Sequence, residues 1–260
     1  MKRLILCEME RIFARRSTKI IFGIAIIFPI LFYYLVQIRW GFDTYVVHGI
    51  KMPLNSLNYS VTQITEYNFL FVFILLPLYY SDSLSSEIDS GAYKFVVIRP
   101  FKKWKLIMSK WFALIIIHGQ ILFCTFTMYT LIGYVFMPRV ESTSYFHIDE
   151  PIGMLDSFIY NIEFYFIVLF VHIAWLSVIS LFSVIVKKPL LVSLGTVALL
   201  VSCIYVFKPI QKIIFNTDVI AFSILGGVYD LNQGLLFLLM ILVFFSMSLW
   251  IWNKRIGDIV

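Results

Sequence analysis

Charged and apolar positions alternate along this chain in long blocks rather than at the short periods of a soluble fold. Residues 20–38 carry no charge between Lys19 and Arg39. From Met52 to Ser81 the only charge is Glu66, with the apolar density at 67–80. Further windows run over 111–138, over Ser157–Val186 interrupted only by Glu163, over 189–207 and over 231–253. A helix needs about 20 apolar residues to cross roughly 30 Å of hydrocarbon, and each window reaches or nearly reaches that length. Backbone in lipid must satisfy its own hydrogen bonds, so the windows predict helices. The expectation is an all-α polytopic membrane protein with six transmembrane helices, at about 20–38, 60–81, 110–137, 158–186, 189–207 and 231–253. Pro29 and Pro77 fall inside these spans as candidate kinks.

Basic residues then orient the spans. Lys2, Arg3, Arg11, Arg15, Arg16 and Lys19 precede the first span, and Lys94, Arg99, Lys102, Lys103, Lys105 and Lys110 follow the second. Lys187, Lys188, Lys254 and Arg255 fall on the same side, so all but five of the 21 Lys and Arg lie there. Positive charge is retained in the cytoplasm, which predicts both termini inside (N-in/C-in). The outer loops are then 39–58, 138–157 and 208–230. The last contains the apolar stretch Val219–Val228, too short to cross, which reads either as a re-entrant or interfacial helix or as a capped loop.

Composition agrees with this plan. The chain is 61% hydrophobic and 14% charged, too little charge for a water-facing shell. Its net charge of +6 is concentrated beside apolar segments, which points to anionic lipid rather than nucleic acid. Cys7, Cys124 and Cys203 read as packing residues. The basic N-terminus followed by a late, long apolar stretch without an Ala-x-Ala site reads as an uncleaved first span. The location expected is a bacterial cytoplasmic membrane.

Two segments stand out from simple anchoring and joining. In residues 1–19, Ile5, Met9, Ile12 and Phe13 recur at helical spacing, predicting an amphipathic helix in the inner interface or a plain basic anchor. The inner loop 82–109 is long, mixed in charge and partly apolar (Phe95–Ile98), as a docking surface for a cytosolic partner would be. Ser86 and Asp89 are candidate caps of a short helix there, Gly91 permits a turn, and Pro100 can open the helix entering the third span.

Glu87-x-x-x-Gly91, a short apolar run, Pro100, basic residues and Lys110 at the start of a span resemble the signature of ABC-2 type transporter permeases. The six-span layout and the amphipathic N-terminus are similar to that family; Phe101 and the Tyr93–Ile98 stretch depart from its usual signature. The resemblance implies that Glu87, Gly91, Pro100 and Lys110 belong to a coupling loop seated on a separate cytosolic ABC ATPase. It also implies a dimer with a second copy or a sister permease. ATP and Mg would sit on the ATPase, with no cofactor in this chain. Consistently, none of the 12 glycines is followed by Lys, as a phosphate-binding P-loop requires.

Other chemistry is sparse. Neither Gly-x-Ser-x-Gly nor His-Glu-x-x-His occurs, so no enzymatic activity is expected. His118 and His172 read as hydrogen-bonded structural histidines rather than metal ligands, and His147, Asp149 and Glu150 as a solvated turn. Glu66 and Glu163, near the outer ends of spans two and four, are candidates for the substrate path or for the outer interface. The apolar walls of Trp111–Ile117 and Leu190–Val201 suit an amphipathic peptide or a hydrophobic antibiotic-like cargo. The alternatives are a lipid or polysaccharide permease, or a non-transporting immunity or sensor protein.

Overall fold

The computed structural model describes residues 1–47, 49–91, 102–148, 150–206, 217–228 and 231–257. It is a helical bundle. An N-terminal helix α1 (Lys2–Ala14) breaks at Arg15, whose backbone is extended (ψ 140), and α2 (Arg16–Tyr33) continues through a widened turn over Tyr34–Arg39. Thr18 secures the break by donating to the Ile12 carbonyl, at 2.7 Å. Two short helices, α3 (Tyr59–Thr62) and α4 (Ile64–Leu70), lead through a π segment at Phe71–Leu75 into α5 (Leu76–Asp89). The π segment has a local cause: Pro77 has no N–H to donate, and its ring crowds the carbonyl four residues back, at Phe73. Then follow α6 (Lys103–Phe136), α7 (Met154–Ile185), α8 (Pro189–Val206), α9 (Thr217–Leu225) and α10 (Leu231–Gly257).

Among the described residues, five stretches are long and apolar enough to cross a membrane: Arg16–Arg39, Tyr67–Asp89, Lys103–Phe136, Met154–Ile185 and Phe237–Lys254. The chain thus has the architecture of a multi-pass membrane protein. The apolar part of α8 is shorter, Pro189–Ser202. α7 is central and packs against α5, α6, α8, α9 and α10, whereas α2 and α10 keep most of their surface outward. Small residues on α7 permit this close packing, as in membrane bundles generally. At Ser180 the hydroxyl accepts a 2.7 Å bond from the Trp111 indole of α6. Trp111 in turn lies 4.2 Å, centroid to centroid, from Phe245 of α10.

The helix boundaries correct two expectations. The apolar pattern predicts the second membrane helix at about 60–81, but residues 59–66 form the short α3, a break at Gln63 and the start of α4, and the long helix runs on to Asp89. Ser86 and Asp89 therefore lie within α5 rather than at the start of a separate helix, and α5 ends at Ser90 and Gly91, the latter at φ +73°. The third membrane helix begins at Lys103, seven residues before Lys110. Pro100 and the rest of 92–101 lie outside the described residues.

Small β-hairpins cap the opposite end. β1 (Thr44–Val47) pairs antiparallel with β2 (Ile50–Pro53), and β3 (Ser142–Thr143) with β4 (Ile152–Gly153). Asn55 and Asn58 fasten this cap by bonding to Thr143 at 2.8 and 3.4 Å, while Asn161 donates to the Leu57 carbonyl at 2.7 Å. α6 approaches α3 closely at Gly133: a Cβ there would stand 2.9 Å from the Tyr59 Cβ and 3.2 Å from the Ser56 carbonyl oxygen. Gly133→Ala should therefore cost about 1–3 kcal/mol through overpacking against backbone. The SDS concentration that unfolds the purified protein measures this, and an unchanged midpoint would refute the close approach.

Candidate functional site

Where α1, α5 and α6 meet, at the end of the bundle away from the described hairpins, four charged side chains share one largely buried site. Glu8 and Arg11 are three residues apart on α1, so they project from the same face and pair directly. Arg11 also pairs with Glu87 in the last turn of α5. Lys110 of α6 lies 2.6 Å from Glu87 and 3.8 Å from Glu8. Lys110 is 3% exposed and Glu87 9%, so neither charge is neutralised by water. Among the described residues, two acids and two bases make the site neutral, the condition under which buried charge is tolerated. A carboxylate in the last turn of a helix also opposes the helix dipole, and α5 has no basic residue there. The cations of α1 and α6 supply the missing compensation. Burial pushes the Arg11 guanidinium below its ordinary value, while Glu8 beside it works the other way.

A second, more exposed pair lies beside the first. Arg15 reaches Asp82 of α5, at 2.9 Å to the carboxylate and 2.7 Å to its backbone carbonyl, and Ser17 donates to the same carboxylate at 3.1 Å. α1 is thus fastened to α5 by side chains from both sides of its junction with α2. Residues 2–14 form α1, which buries Ile12 in the core and turns an ion-pairing edge toward α5 and α6.

Of the residues singled out from sequence, Glu87 and Lys110 come together in this site. Gly91 ends α5 just beyond it, at a positive φ that a side chain disfavours and with no described neighbour within 4 Å of where a Cβ would stand, so its contribution is conformational. The side chain of Glu66, and Pro100, lie outside what is described. Glu163 is exposed on α7 and does not face the bundle interior. Glu8 and Arg11 were not anticipated. Their only signal was an i, i+3 opposite-charge pair on an amphipathic helix, and nothing local connects residue 8 with residue 87.

A second polar array runs through the other half of the core. Asn68 of α4 donates to Thr217 of α9 at 3.1 Å, so its carbonyl oxygen is the acceptor facing His172 Nε2 at 2.7 Å. His172 Nε2 therefore carries the proton and its Nδ1 accepts from His118 Nε2, at 2.8 Å. One turn before Asn68, Thr65 donates to Asp218 at 2.8 Å, and Tyr45 of β1 also donates to that carboxylate. These bonds tie α9 to α4, α7 and α6. The stretch Val219–Val228 thus contributes to a helix packed into the hairpin end of the bundle, with Ile220, Ala221 and Phe222 buried. The two histidines are hydrogen-bonded core residues, and no group of three or more potential metal ligands occurs among the described residues.

Neither any protein-family model nor any characterised protein matches this sequence, so the ion quartet and the polar array stand on their own chemistry.

Proposed function

We propose that this chain is the membrane-spanning subunit of an ATP-binding-cassette exporter in a bacterial cytoplasmic membrane. Six helices cross the bilayer with both termini in the cytoplasm, α8 being the additional span. At 18 residues, α8 is roughly 27 Å long, close to the thickness of the hydrocarbon core. A separate cytosolic ATPase binds ATP and Mg and docks on the segment between α5 and α6. A second copy or a sister permease completes the pathway.

The observation that carries this reading is the ion quartet. Glu87 and Lys110 flank the resembling loop and are held together, with the N-terminal helix, at the basic end of the bundle. A force applied to that loop would be transmitted to α1, α5 and α6 at once. The cargo proposed is an amphipathic peptide or hydrophobic antibiotic-like molecule, because the stretches Trp111–Ile117 and Leu190–Val201 are apolar. A non-transporting immunity or sensor protein is the competing reading, and it requires no ATPase.

Purification of the tagged chain after mild crosslinking decides between them. The expected result is a P-loop ATPase recovered in near-stoichiometric amount. Gly91→Val, which leaves the quartet intact, should abolish transport-coupled hydrolysis while the chain stays in the membrane. Recovery of no ATPase, or labelling of a cysteine at position 105 by an impermeant thiol reagent on intact cells, would overturn the proposal.

A further inference from the structure

A slot of about 410 Å³ opens sideways between α6 and α7. Its floor is Phe126 and Tyr165, 6% and 7% exposed, with ring centroids 5.0 Å apart. Its rims are Phe123 and Phe166, 67% and 66% exposed. One turn before Phe123, Gly119 lies opposite Leu169, leaving the space that a side chain would occupy. The lining carries no charge, and Gln120 supplies its one side-chain amide.

Depth and shape limit what can fill it. At 1.5 Å per residue, the α6 wall lies roughly 15–30 Å from that helix's Phe136 end, inside the hydrocarbon layer. An occupant there is either hydrocarbon or another helix. A helix packs at 8–10 Å between axes and, in membranes, prefers small residues at the contact. Two protruding phenyl rings, one on each helix, instead wall the slot, and the glycine one turn further along leaves it open, a shape that suits a thin flexible chain. An uncharged lining matches an uncharged occupant, and the bilayer supplies one at this depth.

We propose that this slot is a binding site for one acyl chain of a membrane phospholipid, which seals the seam between α6 and α7. The proposal depends on the membrane reading of the helices and not on the exporter assignment.

The test uses the full chain in phosphatidylcholine nanodiscs containing a lipid with a diazirine at mid-chain. Irradiation and peptide mass spectrometry locate the crosslinks. Labelling at Phe123, Phe166 and Leu169 should exceed that at Leu238 and Leu242, which face outward on α10, by at least fivefold. Gly119→Leu should reduce slot labelling to the α10 level. Gly119→Ala, whose Cβ meets Leu169 at an ordinary 3.8 Å, should retain most of it. Both variants are compared by size-exclusion chromatography to verify folding. Even labelling of all outward faces would overturn the proposal, as would undiminished labelling in folded Gly119→Leu. Crosslinks from Phe123 to another copy of the chain in place of lipid would overturn it too, making the occupant a helix.

Discussion

Lys110→Met is expected to lower the stability of the folded chain by about 3–5 kcal/mol, the usual consequence of leaving a buried ion without its partner. Lys110 is 3% exposed and stands 2.6 Å from Glu87. Removing its ammonium leaves Glu8 and Glu87 sharing one cation, Arg11, and gives the site a net negative charge. Glu8→Gln/Lys110→Met should recover more than half of that loss. It restores neutrality, keeps the Arg11–Glu87 pair, and lets the methionine fill the volume of the lysine stem. Unfolding by SDS, followed by tryptophan fluorescence in one detergent–lipid mixture, gives all three values needed for the cycle. Additive effects of Glu8→Gln and Lys110→Met would show that the four charges do not act as a unit. The same cycle read through coupled ATP hydrolysis examines the exporter assignment independently, because a quartet can stabilise the fold without transmitting force.

His172→Leu should destabilise the chain more than His118→Leu, although the two histidines are bonded to each other. His172 donates to Asn68 and accepts from His118, so its removal strands a buried acceptor on Asn68 and a buried donor on His118. Each stranded group costs about 1–3 kcal/mol, giving a total of about 2–6 kcal/mol. Removing His118 strands only the acceptor at His172 Nδ1, and it also eliminates His118 Nδ1, which is buried without a hydrogen-bond partner among the described residues. The double variant should therefore be close to His172→Leu in stability, or better, and well short of the sum. Equal losses for the two single variants would mean that the proton order along His118, His172 and Asn68 is not the one deduced here.

The apolar windows located the membrane helices because length and the absence of charge are properties of consecutive residues, and a bilayer reads them that way. The 20–38 window became Arg16–Arg39, and the 158–186 window became Met154–Ile185. The second window failed at its start for the same physical reason. Residues 59–66 carry one charge, yet Thr62, Gln63 and Thr65 find their hydrogen-bond partners in Asn58, Gln37 and Asp218 rather than along a continuous helix, and uncharged is not the same as lipid-soluble. The end of that helix was misplaced because Asp82 and Glu87 look like loop residues locally. They remain helical because Arg15, Arg11 and Lys110 are brought to them from other elements.

The sequence by itself determined the solvent of this protein, the helical class and the position of most membrane segments. It also marked Glu87, Gly91 and Lys110 as unusual. Only the tertiary structure decided that Glu8 and Arg11 complete their site, that Glu163 faces outward, and that Asn68, His172 and His118 form one directional chain. Those facts depend on residues distant in sequence, such as His118 and His172 (54 positions) or Asn68 and His172 (104 positions), meeting in a medium that cannot solvate an unpaired charge or hydrogen-bonding group. The energy of such a meeting is large, and its partners are invisible to any local pattern.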